Sequence, residues 1–128
     1  MSEFAAHAQL LEQLAALESK MDGSGLNLET PCLHDEMVRT VELLADRNLL
    51  HETVLGTKET VLFKMARALA RKEVMLGYTN RHQAVESLYR WHDILAKDSN
   101  PLATWRAQMQ KYRQEVLEKL AIYYPGRV

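Results

Sequence analysis

The sequence predicts an all-α fold: a single antiparallel bundle of about five helices with a long C-terminal helix, in which residues 1–128 form one domain. Apolar residues recur at helical spacing along the chain, and no stretch alternates apolar and polar residues as a strand does. The length of 128 residues, with 47% hydrophobic and 26% charged residues, fits one soluble globular domain. This composition excludes a disordered chain or a disulfide scaffold as a description of the whole sequence.

The first helix is predicted over residues 2–22, where the run Asp22-Gly23-Ser24-Gly25 ends it. Its apolar side is a seam with heptad-like spacing, formed by Leu10, Leu14, Leu17 and Met21. The second helix is predicted from Thr30, as the cap, and Pro31 to about Asn48. Residues 49–56 either prolong this helix or form a turn before the third.

Short loops connect the last three predicted helices, and short loops favour antiparallel packing of consecutive helices. Thr57 is the predicted cap of the third helix, whose apolar face comprises Leu62, Met65, Ala66 and Leu69. Thr79 or Asn80 is the predicted cap of the fourth helix, whose apolar side comprises Val85, Leu88, His92 and Leu95. Asn100 and Pro101 begin the fifth helix, which runs to Pro125-Gly126 and is predicted to be central.

Charge is divided between the two halves of the chain. Residues 1–50 hold nine acids and three bases, a net of −6, and residues 51–128 hold eight acids and thirteen bases, a net of +5. These values sum to the −1 of the whole chain. Either the acidic and basic helices attract each other within one fold, or two separate faces meet different partners.

Catalytic and metal-binding patterns are missing from the sequence. No histidine has an acidic residue three positions before it, so the Glu-x-x-His pairs of a di-iron bundle are absent, and we expect neither a metal nor a cofactor. Cys32 and His34 are two residues apart, a spacing at which helix side chains do not face each other. His92 lies in an apolar stripe and is expected to be a partly buried residue with a hydrogen-bond partner.

The compartment is predicted from the same residues. Cys32 is the only cysteine, which favours a reducing environment. The first residues include acids and lack the continuous apolar core of a secretory signal, and no window is apolar enough to span a bilayer. These features predict a cytoplasmic location.

Two surfaces are predicted to bind macromolecules. A protein partner or a second copy would contact the seam of the first helix, which could pack on its own bundle or exchange between protomers, together with Trp105, Tyr123 and Tyr124 of the last helix. Alternatively, a basic face would bind nucleic acid through Lys64, Arg67, Arg71, Lys72 and Arg81. The slightly acidic net charge disfavours this alternative, because phosphate contacts require a strongly basic footprint.

One family resemblance comes from the run Leu43-Leu44-Ala45, a turn near Asn48 and a later Ala68-Leu69. This pattern resembles the helical N-terminal part of nitrile hydratase and thiocyanate hydrolase beta-type subunits, over about a third of the chain. The metal-binding cysteine cluster of that family's alpha subunit has no counterpart in a chain with one cysteine. The resemblance therefore implies an accessory subunit of a multi-subunit enzyme that carries no metal.

Together these observations predict a non-catalytic protein-interaction domain, such as a small helical subunit, an adaptor or a chaperone-like factor in a larger assembly. Long amphipathic helices and aromatic side chains suit contacts in which a helix lies in an apolar groove. Nucleic-acid binding and the accessory-subunit role are the alternatives.

Overall fold

The computed structural model describes residues 3–22, 25–54 and 56–127, which are 72% helical. The five helices are α1 (Glu3–Met21), α2 (Thr30–Asp46), α3 (Val61–Met75), α4 (Ala84–Lys97) and α5 (Pro101–Tyr123). Among the described residues no strand occurs, and Thr53 and Thr60 form an isolated antiparallel bridge. The all-α prediction is therefore confirmed. None of these helices combines the length and apolar character that a bilayer crossing requires.

The buried side chains form one apolar cluster to which all five helices contribute. α1 packs on α2, α3 packs on α4, and α5 lies against α2, α3 and α4. The long last helix shares the centre with α3, most of whose side chains are buried. The predicted apolar face of α3 is confirmed, since Leu62, Met65, Ala66 and Leu69 are all buried.

The ends of α1, α2 and α5 lie close to their sequence signals. α1 ends at Met21, next to the predicted stop, of which Gly23 and Ser24 lie outside the described residues. α5 begins as predicted, with Pro101 in the first turn and the Asn100 side chain accepting a hydrogen bond from the Ala103 amide. The predicted cap of α2 is wrong by one residue, because Thr30 is already helical and follows Glu29.

The predicted cap of α3 is wrong. Thr60, and not Thr57, caps α3, with its hydroxyl accepting a hydrogen bond from the Phe63 amide at 3.1 Å. The Thr57 hydroxyl instead donates to the Val54 carbonyl inside the connection. This connection does not prolong α2: Asn48 leaves the helix with φ 58°, and the chain turns back on itself at Gly56 with φ 81°.

The predicted start of α4 is also early. The Asn80 side chain accepts a hydrogen bond from the Gln83 amide, but residues 81–83 form turns and the helix begins at Ala84. No side chain caps α4, because its first residue follows Gln83 in a helical backbone conformation.

Candidate functional site

An apolar surface of α4 is left uncovered by the bundle. Val85 is 55% exposed and Tyr89 is 59% exposed, although both are large apolar side chains. They lie four residues apart on the same side of the helix, and His92 continues the row. Phe63 of α3 joins it: its ring meets Tyr89 edge-on at 6.3 Å and His92 at 5.4 Å between centroids. We call Phe63, Val85, Tyr89 and His92 the α4 aromatic face.

The sequence placed Val85 on the buried side of α4, and this is wrong. Leu95 is buried and Leu88 is partly buried, but the residue that faces the core near Val85 is Ser87. The inward side of α4 is the row Ser87, Trp91 and Leu95, which is rotated away from the predicted stripe.

A buried carboxylate on α3 explains this rotation. Glu73 accepts hydrogen bonds from the Ser87 hydroxyl, from the Trp91 indole N–H at 3.1 Å and from the Tyr112 hydroxyl at 2.7 Å. The Arg90 guanidinium lies 3.5 Å from the same carboxylate. A buried carboxylate is tolerated only when its oxygens are satisfied, so the side of α4 that carries the donors must face α3. Val85 and Tyr89 consequently point outward.

Glu73 is ionised in this setting. Burial alone raises the pKa of its carboxyl, but the hydrogen bonds from Ser87, Tyr112 and Trp91, with the charge of Arg90, outweigh that effect and place the pKa below its usual value. The negative charge strengthens all of these hydrogen bonds. The cluster therefore determines which side of α4 faces α3, and the α4 aromatic face points outward.

Charged groups border the α4 aromatic face. The Arg67 guanidinium lies 4.9 Å from the centre of the Phe63 ring, a cation–π contact. On the α4 side, Asp93 and Lys97 form an exposed ion pair at 3.0 Å. An apolar centre with a polar rim is the usual anatomy of a protein–protein interface.

The predicted nucleic-acid surface is occupied by acids of the same chain. Lys64 is buried and its Nζ lies 2.5 Å from Glu18 and 3.2 Å from Glu59. Arg67 pairs with the same two carboxylates, and Arg71 pairs with Glu18 and with Asp22. The hydrogen bond from Arg67, followed by that from Lys64, lowers the pKa of Glu59 to about 2.

Lys64, Arg67 and Arg71 therefore each have carboxylate partners within the fold, which reduces the positive charge that they offer to phosphates. Nucleic-acid binding by this face stays a prediction. Lys72 is buried, and Arg81 remains exposed at the start of the next segment. The acidic first half of the chain thus attracts the basic second half, as Arg113 and Asp35 also show with a bidentate contact at 2.8 and 2.9 Å.

Most of the residues predicted to meet a partner contribute to the core instead. Leu14, Leu17 and Trp105 are buried, and the Trp105 indole donates to the Met65 carbonyl at 2.9 Å. Leu10 and Met21 are partly covered because α1 packs on its own bundle. Leu14, Leu17 and Trp105 are therefore not exposed in the folded chain. Partner binding through the seam of α1, or exchange of α1 with a second copy, stays a prediction. Tyr123 and Tyr124 are exposed beyond the core.

Cys32 and His34, the two residues considered for chemistry, differ in their exposure to solvent. Cys32 is exposed, with its Sγ 3.9 Å from a Glu36 carboxylate oxygen, whereas His34 is buried. Burial, and then the charge of Lys72, lowers the pKa of His34 to about 4, so this imidazole is neutral. No group of three or more metal-ligating side chains was found among the described residues.

The α4 aromatic face was missed from the sequence because Val85 and His92 fit an inward stripe equally well. A usable signal was present: Ser87 and Trp91 are four residues apart and both carry a hydrogen-bond donor. Such a pair on one side of a helix can meet a buried acceptor.

Comparison with models of protein families, with curated proteins and with solved structures found no match to this chain. The resemblance to nitrile hydratase beta-type subunits therefore receives no support from these comparisons.

Proposed function

We propose that this chain is a non-catalytic protein-interaction domain, a small helical subunit or adaptor, that binds its protein partner through the α4 aromatic face. The observation that carries this proposal is the uncovered pair Val85 and Tyr89, held outward by the Glu73 cluster beside Phe63. Exposed aromatic side chains with a polar rim are typical of the residues that dominate binding energy at interfaces.

The shape of this surface favours a helical partner. Phe63 and Tyr89 come from neighbouring helices, and their rings meet across the line where α3 and α4 pack. An amphipathic helix can place its apolar side chains along such a line at helical spacing. We therefore propose an amphipathic helix of another protein in the cytoplasm as the occupant, and a second copy of the chain is the competing outcome.

Site-directed photo-crosslinking in the cells of origin tests the proposal. A photoreactive phenylalanine replaces Tyr89, and a matched control replaces Gln110, which is exposed on α5. We expect one defined protein to be linked from position 89 and not from position 110. The double variant Val85→Lys/Tyr89→Lys should abolish binding of that protein, whereas Gln110→Lys/Gln114→Lys on the exposed face of α5 should leave it unchanged.

The outcomes separate clearly, because all four substituted residues are exposed and the fold can be checked by circular dichroism. A linked species with twice the mass of the chain identifies a second copy as the occupant and overturns the helical-partner assignment. Equal labelling from positions 89 and 110, with a monomer in sedimentation, overturns the proposed function itself.

A further inference from the structure

A cavity of about 300 Å³ opens where four helices come together at one end of the bundle. Its walls come from the end of α1, the start of α2, the end of α3 and the segment leading into α4. Most of the wall is apolar, contributed by Met21, Leu33, Val74, Met75 and Ala84. This volume lies at the lower end of the range for small-molecule pockets.

Lys72 lines this cavity and is 2% exposed. Within residues 3–22, 25–54 and 56–127, no oxygen accepts a hydrogen bond from its ammonium group and no carboxylate lies within ion-pair distance. The other buried lysine, Lys64, has two carboxylates. The Lys72 side chain lines the cavity, so an acceptor from outside the chain that enters there would offset the cost of burying its ammonium group.

The charges around the cavity favour an anion. Arg71 and Arg81 line it together with Lys72, and Asp22 is the acid on the same wall, where it pairs with Arg71. Burial, and then the charge of Arg71, lowers the pKa of Lys72 to about 8, and the charge of Asp35 acts in the opposite direction. Most of the amine is therefore still protonated at neutral pH. The imidazole of His34 is neutral and adds no charge to the site.

We propose that this cavity binds a small organic carboxylate with a short apolar chain, whose head group pairs with Lys72 and whose chain lies against Met21, Leu33 and Met75. A carboxylate supplies the acceptors that the ammonium group lacks, in a charge-assisted contact. The apolar walls bind the hydrocarbon chain of the ligand. They disfavour small inorganic anions, because such an anion would leave the apolar walls in contact with water. This site is separate from the α4 aromatic face and does not depend on it.

Calorimetric titration with octanoate tests the proposal, with octan-1-ol as the uncharged probe of equal chain length. We expect octanoate to bind the wild-type protein and octan-1-ol to bind at least about tenfold more weakly, because the charged contact is lost. Lys72→Met should weaken octanoate binding by about the same factor and leave octan-1-ol unchanged. Lys111→Met, on the exposed side of α5, should change neither.

A second variant keeps the test independent of Lys72. Ala84→Leu fills the cavity without altering its charge and should weaken both probes together. Circular dichroism and thermal unfolding confirm that each variant is folded. Equal affinity for the two probes, undiminished octanoate binding to Lys72→Met, or no heat of binding at millimolar octanoate would each overturn the proposal.

Discussion

Replacing Lys72 by methionine is expected to make the protein more stable. Lys72 is buried without an acceptor among the described residues, and its pKa falls from 10.5 to about 8. This difference corresponds to about 3 kcal/mol of folding free energy lost at pH 7, because the folded protein binds the proton less tightly than the unfolded chain does. Methionine has similar length and no charge, so Lys72→Met should recover most of this energy.

The pH dependence gives the sharper test. The destabilisation by Lys72 is fully present below pH 8 and disappears as the pH rises to 10.5, so the wild-type free energy of unfolding should rise across that window. Lys72→Met should lack this rise. Tyr112 acts in the opposite direction at high pH, because its pKa is raised first by burial and then by its hydrogen bond to Glu73. That contribution is common to both proteins and cancels in their difference.

Urea denaturation at pH 7, 8, 9 and 10 measures both effects, and thermal unfolding at pH 7 should show a midpoint higher by roughly 10 °C. Lys111→Met is the matched control, and its effect should stay within about 0.5 kcal/mol since Lys111 is exposed. A Lys72→Met protein that is less stable than wild type at pH 7, or that keeps the rise between pH 8 and 10, would refute the reasoning.

Three further outcomes follow from buried polar groups. Glu73→Gln should destabilise the protein by about 3 kcal/mol in urea and change the fluorescence of Trp91, because the charged acceptor is lost; an unchanged midpoint contradicts this. Glu18→Gln should cost about 3 kcal/mol, since Lys64 stays buried with a weakened partner, whereas the exposed Glu12→Gln should be neutral. His34 should remain neutral in NMR titrations down to about pH 4, and its burial should lower stability as the pH falls from 6.5 to 4; titration near 6.5 contradicts this.

Local signals predicted the helices well and their starts unevenly. Pro101 with Asn100 defined α5, because proline at the first turn and an asparagine cap act within a few residues. Thr57 and Thr60 have the same side chain and could not be ranked from the sequence. Which of the two threonines caps α3 depends on the bridge between Thr53 and Thr60, which forms because the chain turns back before the helix. Cap signals in the sequence carry no information about this contact.

The orientation of α4 could not be read from its apolar pattern for a related reason. An apolar pattern predicts that Val85 is a core residue and that Ser87 is not, because it considers only the transfer free energy of each side chain. It takes no account of a buried acceptor such as Glu73. Glu73 reverses this order because leaving its carboxylate unsatisfied costs more than exposing one valine. The exposed face proposed for partner binding thus results from a polar interaction in the core, and no apolar pattern could have located it.

The basic residues of α3 show how a step of one residue along a helix separates cations that have carboxylate partners from one that has none within ion-pair distance. Lys64, Arg67 and Arg71 follow one another at intervals of three and four, so they share a side and meet Glu18 of α1. Lys72 is one residue further along and rotated by about 100°, which places it beside the core positions Met65 and Leu69. The same residue type is therefore neutralised on one side and left without an acceptor on the other. The chain supplies carboxylates within ion-pair distance to three of these four cations. Asp35 acts on Lys72 only from a longer distance, and the proposed ligand carboxylate would make the close contact that Asp35 does not make.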